Sequence, residues 1–265
     1  MALHPNRIYE YTSSIFKSER ARVDGTLAED FCAVMEGHAM YIPSMLCRND
    51  DFTVLKQLMT EMAAEEEKNP DNSGLINWSK HYKYENPDFS PTFQKILNYL
   101  ADYFHLDIHA TRMNVYLDAS SWKPYHHDSH AYGAKGKEDL TVGVSFGESR
   151  ELSFLHCQSG QSFAFPQNNG DVFAFDSIVN KKFQHGVPKV SDPSKGPRVS
   201  VIAWGRRKTI NERNGGKLGE VRDNSMEVGD DIVAVSDEGY ANRNKPGQEH
   251  NTQGPAIKEV LASVR

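Results

Sequence analysis

The sequence predicts an α+β protein, a β sandwich or jelly roll braced by N-terminal helices. Two observations carry this. Between residues 50 and 104 apolar side chains recur with the 3.6-residue period of amphipathic helices. From residue 111 the period shortens to two, in seven short runs parted by turn signals. Helices gathered ahead of many closely spaced strands suit a sheet core with helices packed against it.

The elements follow in order. Residues 1 to about 25 are polar and read as an irregular lead-in. The stretch "NDDFTVLKQLMTEMAAEEEK" offers Asp50 or Asp51 as a helix N-cap and sets Leu55, Leu58, Met59 and Met62 on one face. "SPTFQKILNYLADYF" begins with Ser90 as cap and Pro91 at the first helical position, where the missing N–H costs nothing. Phe93, Leu97, Leu100 and Phe104 then line one side. The β-rich runs are "TRMNVYLD", "LTVGVSFG", "ELSFLHC", "QSFAFP", "GDVFAFD", "KKFQHGVPKV" and "PRVSVIAW", with Ser159-Gly160 and Asn169-Gly170 marking turns. Beyond residue 209 the chain has too few apolar residues to bury. It reads as a weakly ordered tail over 209–265, with a short helix at 256–264.

The bulk properties narrow the function classes. The net charge of -6 runs against a protein wrapped in nucleic acid, since strong phosphate binders carry a basic excess, although a local basic groove is compatible with it. Cys32, Cys47 and Cys157 are odd in number and lack a C-x-x-C pair, which favours free thiols over a disulfide framework or a thiolate zinc site. No stretch approaches a membrane span and the N-terminus lacks an apolar signal core. The expectation is a soluble intracellular protein, cytoplasmic or nuclear, with no membrane partner.

"WKPYHHDSHAYG", at 122–133, holds three histidines and an aspartate within five positions. Taken alone, such a loop is also what surface polarity produces. Within it, His126 and Asp128 form H-x-D, a spacing that turns both side chains to one face of a strand. His185 lies in a later strand. Two imidazoles and a carboxylate on one face of a metal leave the opposite face open, the arrangement of non-haem Fe(II) oxygenases. His127, between the two presumed ligands, should face away. "RVSVIAW" then sets Arg198 and Ser200 on a common face, a guanidinium fork and a hydroxyl suited to a carboxylate. "RMNVYLD" places Asn114 and Tyr116 on a common face just before H-x-D.

N-x-Y, H-x-D, "VSFG", "GDVFAF", the distal His of "FQHGV" and R-x-S, in this order over roughly residues 40–206, resemble the AlkB family of Fe(II)- and 2-oxoglutarate-dependent dioxygenases. The resemblance implies a double-stranded β-helix (jelly-roll, cupin-like) core over 111–208, with 1–110 as a helical and lid region packed on it. It implies Fe(II) on His126, Asp128 and His185. It implies 2-oxoglutarate contacts from Asn114, Tyr116, Arg198 and Ser200. Many relatives carry a second arginine six residues after the first; here that place is Trp204, with Arg206 or Arg207 as substitutes.

The implied reaction oxidises 2-oxoglutarate to succinate and carbon dioxide and hydroxylates a C–H bond, releasing formaldehyde when the carbon is an N-methyl group. The implied substrate is an N-alkylated base in DNA or RNA. Trp78, Tyr82, Tyr84 and Trp122 are candidates for stacking on it, and His130 stands where repair members often carry an acidic base reader. The basic run "GRRKTINER" could touch phosphates. Two other readings stay open: a hydroxylase or demethylase of a protein side chain or small metabolite, and a non-catalytic jelly-roll binding module. Nothing in the sequence specifies an oligomeric state.

Overall fold

The computed structural model describes residues 22–23, 37–69, 74–128, 138–160, 162–213, 257–262 and 264. His130 and most of the lead-in and the tail lie outside them.

Twelve strands and five helices make up the described chain. In chain order the strands are β1 (Arg22–Val23), β2 (Ala39–Ile42), β3 (Leu75–Ile76), β4 (His81–Tyr84), β5 (Leu106–Tyr116), β6 (Lys123–His126), β7 (Leu140–Gly147), β8 (Arg150–His156), β9 (Ser162–Gln167), β10 (Val172–Asp176), β11 (Phe183–Val187) and β12 (Arg198–Arg207). The helices are α1 (Thr53–Lys68), α2 (Pro91–Phe104), α3 (Ser177–Lys182), α4 (Ile210–Arg213) and α5 (Ile257–Leu261). All strand pairs are antiparallel, in a seven-stranded sheet of order β2-β10-β7-β12-β5-β4-β3 and a five-stranded sheet of order β1-β9-β8-β11-β6. From β5 to β12 the chain passes back and forth between the two sheets, which is the winding of a double-stranded β-helix.

Both expected helices form. Asp51 caps α1 only loosely, accepting the Thr53 N–H at 3.0 Å, one position ahead of the helix boundary. Ser90 accepts the Phe93 N–H at 3.0 Å in the N-cap geometry expected of it, and Pro91 opens α2. Glu61 of α1 ties the two helices together by accepting from the Ser90 and Thr92 hydroxyls.

Alternation along the strands of the large sheet divides its two faces. Met113, Val115, Val142, Val144, Phe146, Val199, Val201 and Ala203 meet α1 and α2 in one apolar cluster. The other face looks between the sheets. Toward β2, β8, β9 and β10 that interior is aromatic: Tyr41, Phe154, Phe163, Phe165, Phe173, Phe175 and Phe183 pack together. Toward β5 and β12 it is polar, with Asn114, Tyr116, Ser145, Arg198 and Ser200 all buried. Half of the interior is thus a core and half is a site.

The structure redraws two boundaries. Segment 1–110 is not only a brace and lid, since β1 to β4 and the first half of β5 are hydrogen-bonded strands of the sheets. The two- and four-residue strands among them are too short to show a period. The C-terminal helix forms as α5, and Ile257 is fully buried in the helix-side cluster, so this end of the polar segment packs on the body.

Candidate active site

His126 ends β6 and stands directly opposite His185 of β11 in the register of the small sheet. Gly186 permits this approach: a Cβ there would lie 2.9 Å from the backbone of Lys123 and Pro124. The two imidazole centroids are 4.4 Å apart. Asp128 lies two residues past the end of β6, so strand alternation alone does not aim it. Asn180 of α3 holds its backbone instead, accepting the Asp128 N–H at 3.0 Å and donating to its carbonyl at 2.9 Å. The Thr141 hydroxyl donates to Oδ2 at 3.0 Å. Oδ1 faces the imidazoles, 3.8 Å from His126 Nε2 and 3.5 Å from His185 Nε2.

One ligand atom from each of the three residues lies within 4.8 Å of the others. The protonation pattern suits a metal. His126 Nδ1 sits 3.0 Å from the Pro124 carbonyl, which can only accept, so Nδ1 bears the proton and the Nε2 lone pair is free. That Nε2 is buried and has no hydrogen-bond partner. Burial drives the His126 pKa well down, reinforced by Lys123 and His185, so the ring is neutral. Burial would raise the Asp128 carboxyl; His185, by charge and hydrogen bond, with His126 and Trp204, overrides this and holds it well below the usual carboxylate range. A neutral imidazole and an ionised carboxylate are the forms that bind a divalent cation. His127 faces away as expected, its Nδ1 2.5 Å from the Asn180 carbonyl.

The second half of the site comes from the large sheet. Register pairs Arg198 with Tyr116 and Ser200 with Asn114, so the four form a compact square on the inner face. Arg198 is 3% exposed. Its Nε donates to Ser145 Oγ at 2.8 Å, its carbon lies 5.2 Å from the Tyr116 ring centroid, and one amino group (Nη1) is buried without a partner. Burial lowers its pKa to about 10 against the pull of Tyr116. Asn114 Oδ1 is likewise buried and unpartnered. A buried cation with an unsatisfied donor is an anion site in search of its anion.

Several site residues carry no sequence signal strong enough to single them out. Arg150 of β8, 2% exposed, donates to the Asp118, Ser121 and Pro188 carbonyls and lies 5.6 Å from the Tyr116 ring, anchoring the loops beside the site. His81 stacks on Tyr116 at 5.7 Å with its Nδ1 2.7 Å from Ser79 Oγ. Thr141 and Ser145 did have a trace, as the polar half of "LTVGVSFG". Asn180, remote in sequence, had none.

Other expected residues lie elsewhere. Arg206 is not at the clamp: it sits eight residues along β12 from Arg198 and donates both outer amino groups to Glu212, at 2.9 and 2.8 Å. Arg207 pairs with Asp139 at the surface. Tyr82 and Tyr84 point to the helix side of β4 and are buried in its apolar cluster, so they pack the core rather than face a ligand. The interior positions of that strand belong to His81 and Lys83. Trp78 is 61% exposed and meets Trp122 edge-to-face at 5.4 Å, with Lys189 Nζ 4.6 Å over the Trp122 ring. His130 lies outside the described residues.

No protein-family profile matches the chain. A stretch of 126 residues is 22% identical to the uncharacterized protein R406 of Acanthamoeba polyphaga mimivirus; it takes in 48% of this chain and 64% of that protein, less than two-thirds of its length. Among solved structures, the fold is similar to a Pseudomonas putida prolyl-4-hydroxylase, with a TM-score of 0.43 and 11% identity over 68% of this chain and 100% of that one. It is also similar to a 2OG-Fe(II) oxygenase family oxidoreductase from Burkholderia pseudomallei, with a TM-score of 0.44 and 16% identity over 71% and 93%.

Proposed function

We propose that the chain is an Fe(II)- and 2-oxoglutarate-dependent oxygenase. The observation that carries this is the pairing of two unfinished halves in one interior: a His126–Asp128–His185 cluster with a free, buried Nε2, and a buried Arg198 with an unpartnered donor. A structural metal site has no need of the arginine, and a carboxylate-binding module has no need of the triad. Fe(II) held there supplies dioxygen activation, one oxygen atom passing to succinate as 2-oxoglutarate loses carbon dioxide and the other to a substrate C–H bond. The residues do the remainder. Arg198, Ser200 and Asn114 grip and orient the dicarboxylate, Tyr116 fills the space between Arg198 and His81, and the aromatic half of the interior excludes water. The test is succinate release from 2-oxoglutarate under air with Fe(II), wild type against His185→Ala and Asp128→Ala. Turnover by His185→Ala at the wild-type rate would overturn the triad.

For the substrate, an N-alkylated base in single-stranded nucleic acid is the reading we favour. Its support is the Trp78–Trp122 pair with Lys189, of which Trp78 is exposed, a stacking surface beside a cation at the start of the strand that carries His126. Burial lowers the His81 pKa to about 3, and Lys123, Arg112 and Lys83 add to it, so cations stand near the site although the chain is acidic overall. A methylated oligonucleotide panel scored for formaldehyde, with Trp78→Ala alongside, tests this. Succinate released with a peptide or metabolite but with no oligonucleotide would transfer the activity to that class.

A further inference from the structure

We propose that Thr141 is a positioning residue that makes Asp128 a one-oxygen metal ligand and thereby sets the affinity and coordination number of the site. The inference rests on the metal site proposed above. The two carboxylate oxygens of Asp128 are already distinguished in the protein alone. Oδ1 lies toward His126 and His185, whereas Oδ2 takes the Thr141 hydroxyl at 3.0 Å. A threonine hydroxyl facing a carboxylate must donate, so this contact does not compete with a cation for the ligand oxygen.

The fold fixes Thr141 in place. Its direct cross-strand partner is Trp204 of β12, and both are on the inner face and buried (9% and 3% exposed). The Arg112 guanidinium carbon lies 5.2 Å over the Trp204 ring and limits its rotation. Asn180 fixes the backbone of residue 128 from the other side, so the carboxylate is held at both its ends. A carboxylate free to rotate could offer both oxygens and occupy a position that the co-substrate or oxygen requires. Held through Oδ2, it offers one.

Anaerobic titration of the full chain with Mn(II) and Co(II), followed by calorimetry and by the Co(II) visible spectrum, tests this. Thr141→Val keeps the shape and removes the donor. It should weaken both metals by about 10- to 100-fold, as loss of an outer-sphere partner does, and change the Co(II) band shape. Thr141→Ser restores the donor and should return both readouts to near wild type. Thr141→Ala, which removes the donor without the β-branch, is the second arm and should act in the same direction even if Thr141→Val fails to fold. Wild-type affinity and spectrum in Thr141→Val or Thr141→Ala would overturn the positioning role while leaving the triad intact. Failure of the wild-type chain itself to bind either metal would remove the proposed metal site and this inference with it.

Discussion

Replacing Arg198 by Met should separate two properties that usually fall together. In the free protein the guanidinium is buried with an unpartnered amino group, and burial lowers its pKa from 12.5 to about 10. A base with a depressed folded pKa carries its charge at a cost, which is present at every pH below about 10 and relieved only as pH rises through that value toward 12.5. The difference, 12.5 minus 10, at about 1.4 kcal/mol per pKa unit corresponds to roughly 3 kcal/mol. Methionine removes that cost but also the Ser145 hydrogen bond and the Tyr116 ring contact, together worth about 2 kcal/mol. The net expectation for the free protein is a gain of about 1 kcal/mol, or ~2–4 °C in Tm. Binding of 2-oxoglutarate should fall about 10- to 100-fold, the loss of one charge-assisted hydrogen bond. Thermal melts with Mn(II), with and without 2-oxoglutarate, read both effects. A Met variant that is markedly less stable alone and still gains as much from 2-oxoglutarate as wild type would refute the reasoning.

Arg206→Ala should leave the 2-oxoglutarate titration unchanged and cost under about 1 kcal/mol of stability, because its partner Glu212 is an exposed ion pair; a raised co-substrate requirement would return Arg206 to the clamp. Stability should fall with acid because burial, with Lys123, Arg112 and Lys83, lowers the folded His81 pKa to about 3, so only the unfolded chain takes its proton as pH drops through 6.5. For His81 this amounts to roughly 2 kcal/mol between pH 6.5 and pH 5, with His126 acting in the same sense; urea midpoints should show the slope, and His81→Phe should reduce it. Gly186→Ala must push β6 away from β11, and it should lower Mn(II) affinity more than it lowers Tm, as metal titration beside calorimetry would show.

The residues of the proposed metal and clamp sets were legible because the chemistry demands particular residue types and strand alternation sorts them by face. Asn114 with Tyr116 and Arg198 with Ser200 were two same-face pairs, and the register sets each directly across from its counterpart. What a strand pattern leaves open is which face turns inward. Tyr82 and Tyr84 share a face of β4, but pairing with β5 sends that face to the helices and gives the interior to His81; one residue of slip would have reversed it. Asp128 carries the same lesson differently. H-x-D reads as strand alternation, yet the aspartate lies beyond the strand and depends on Asn180, 52 positions away, and on Thr141. The aromatic half of the interior draws Tyr41 from a four-residue strand whose burial is nearly continuous, so no period marked it.

The central claim is that one interior holds a metal triad and a dicarboxylate anchor acting on a shared ligand. Anaerobic addition of Fe(II) and 2-oxoglutarate to the full chain, followed by visible absorption, tests it most directly. The account predicts a weak charge-transfer band that appears only when both are present, saturates at one Fe(II) per chain, disappears in His185→Ala and needs far more 2-oxoglutarate in Arg198→Met. A chain that retains no Fe(II), or a band indifferent to 2-oxoglutarate and to Arg198, would contradict it.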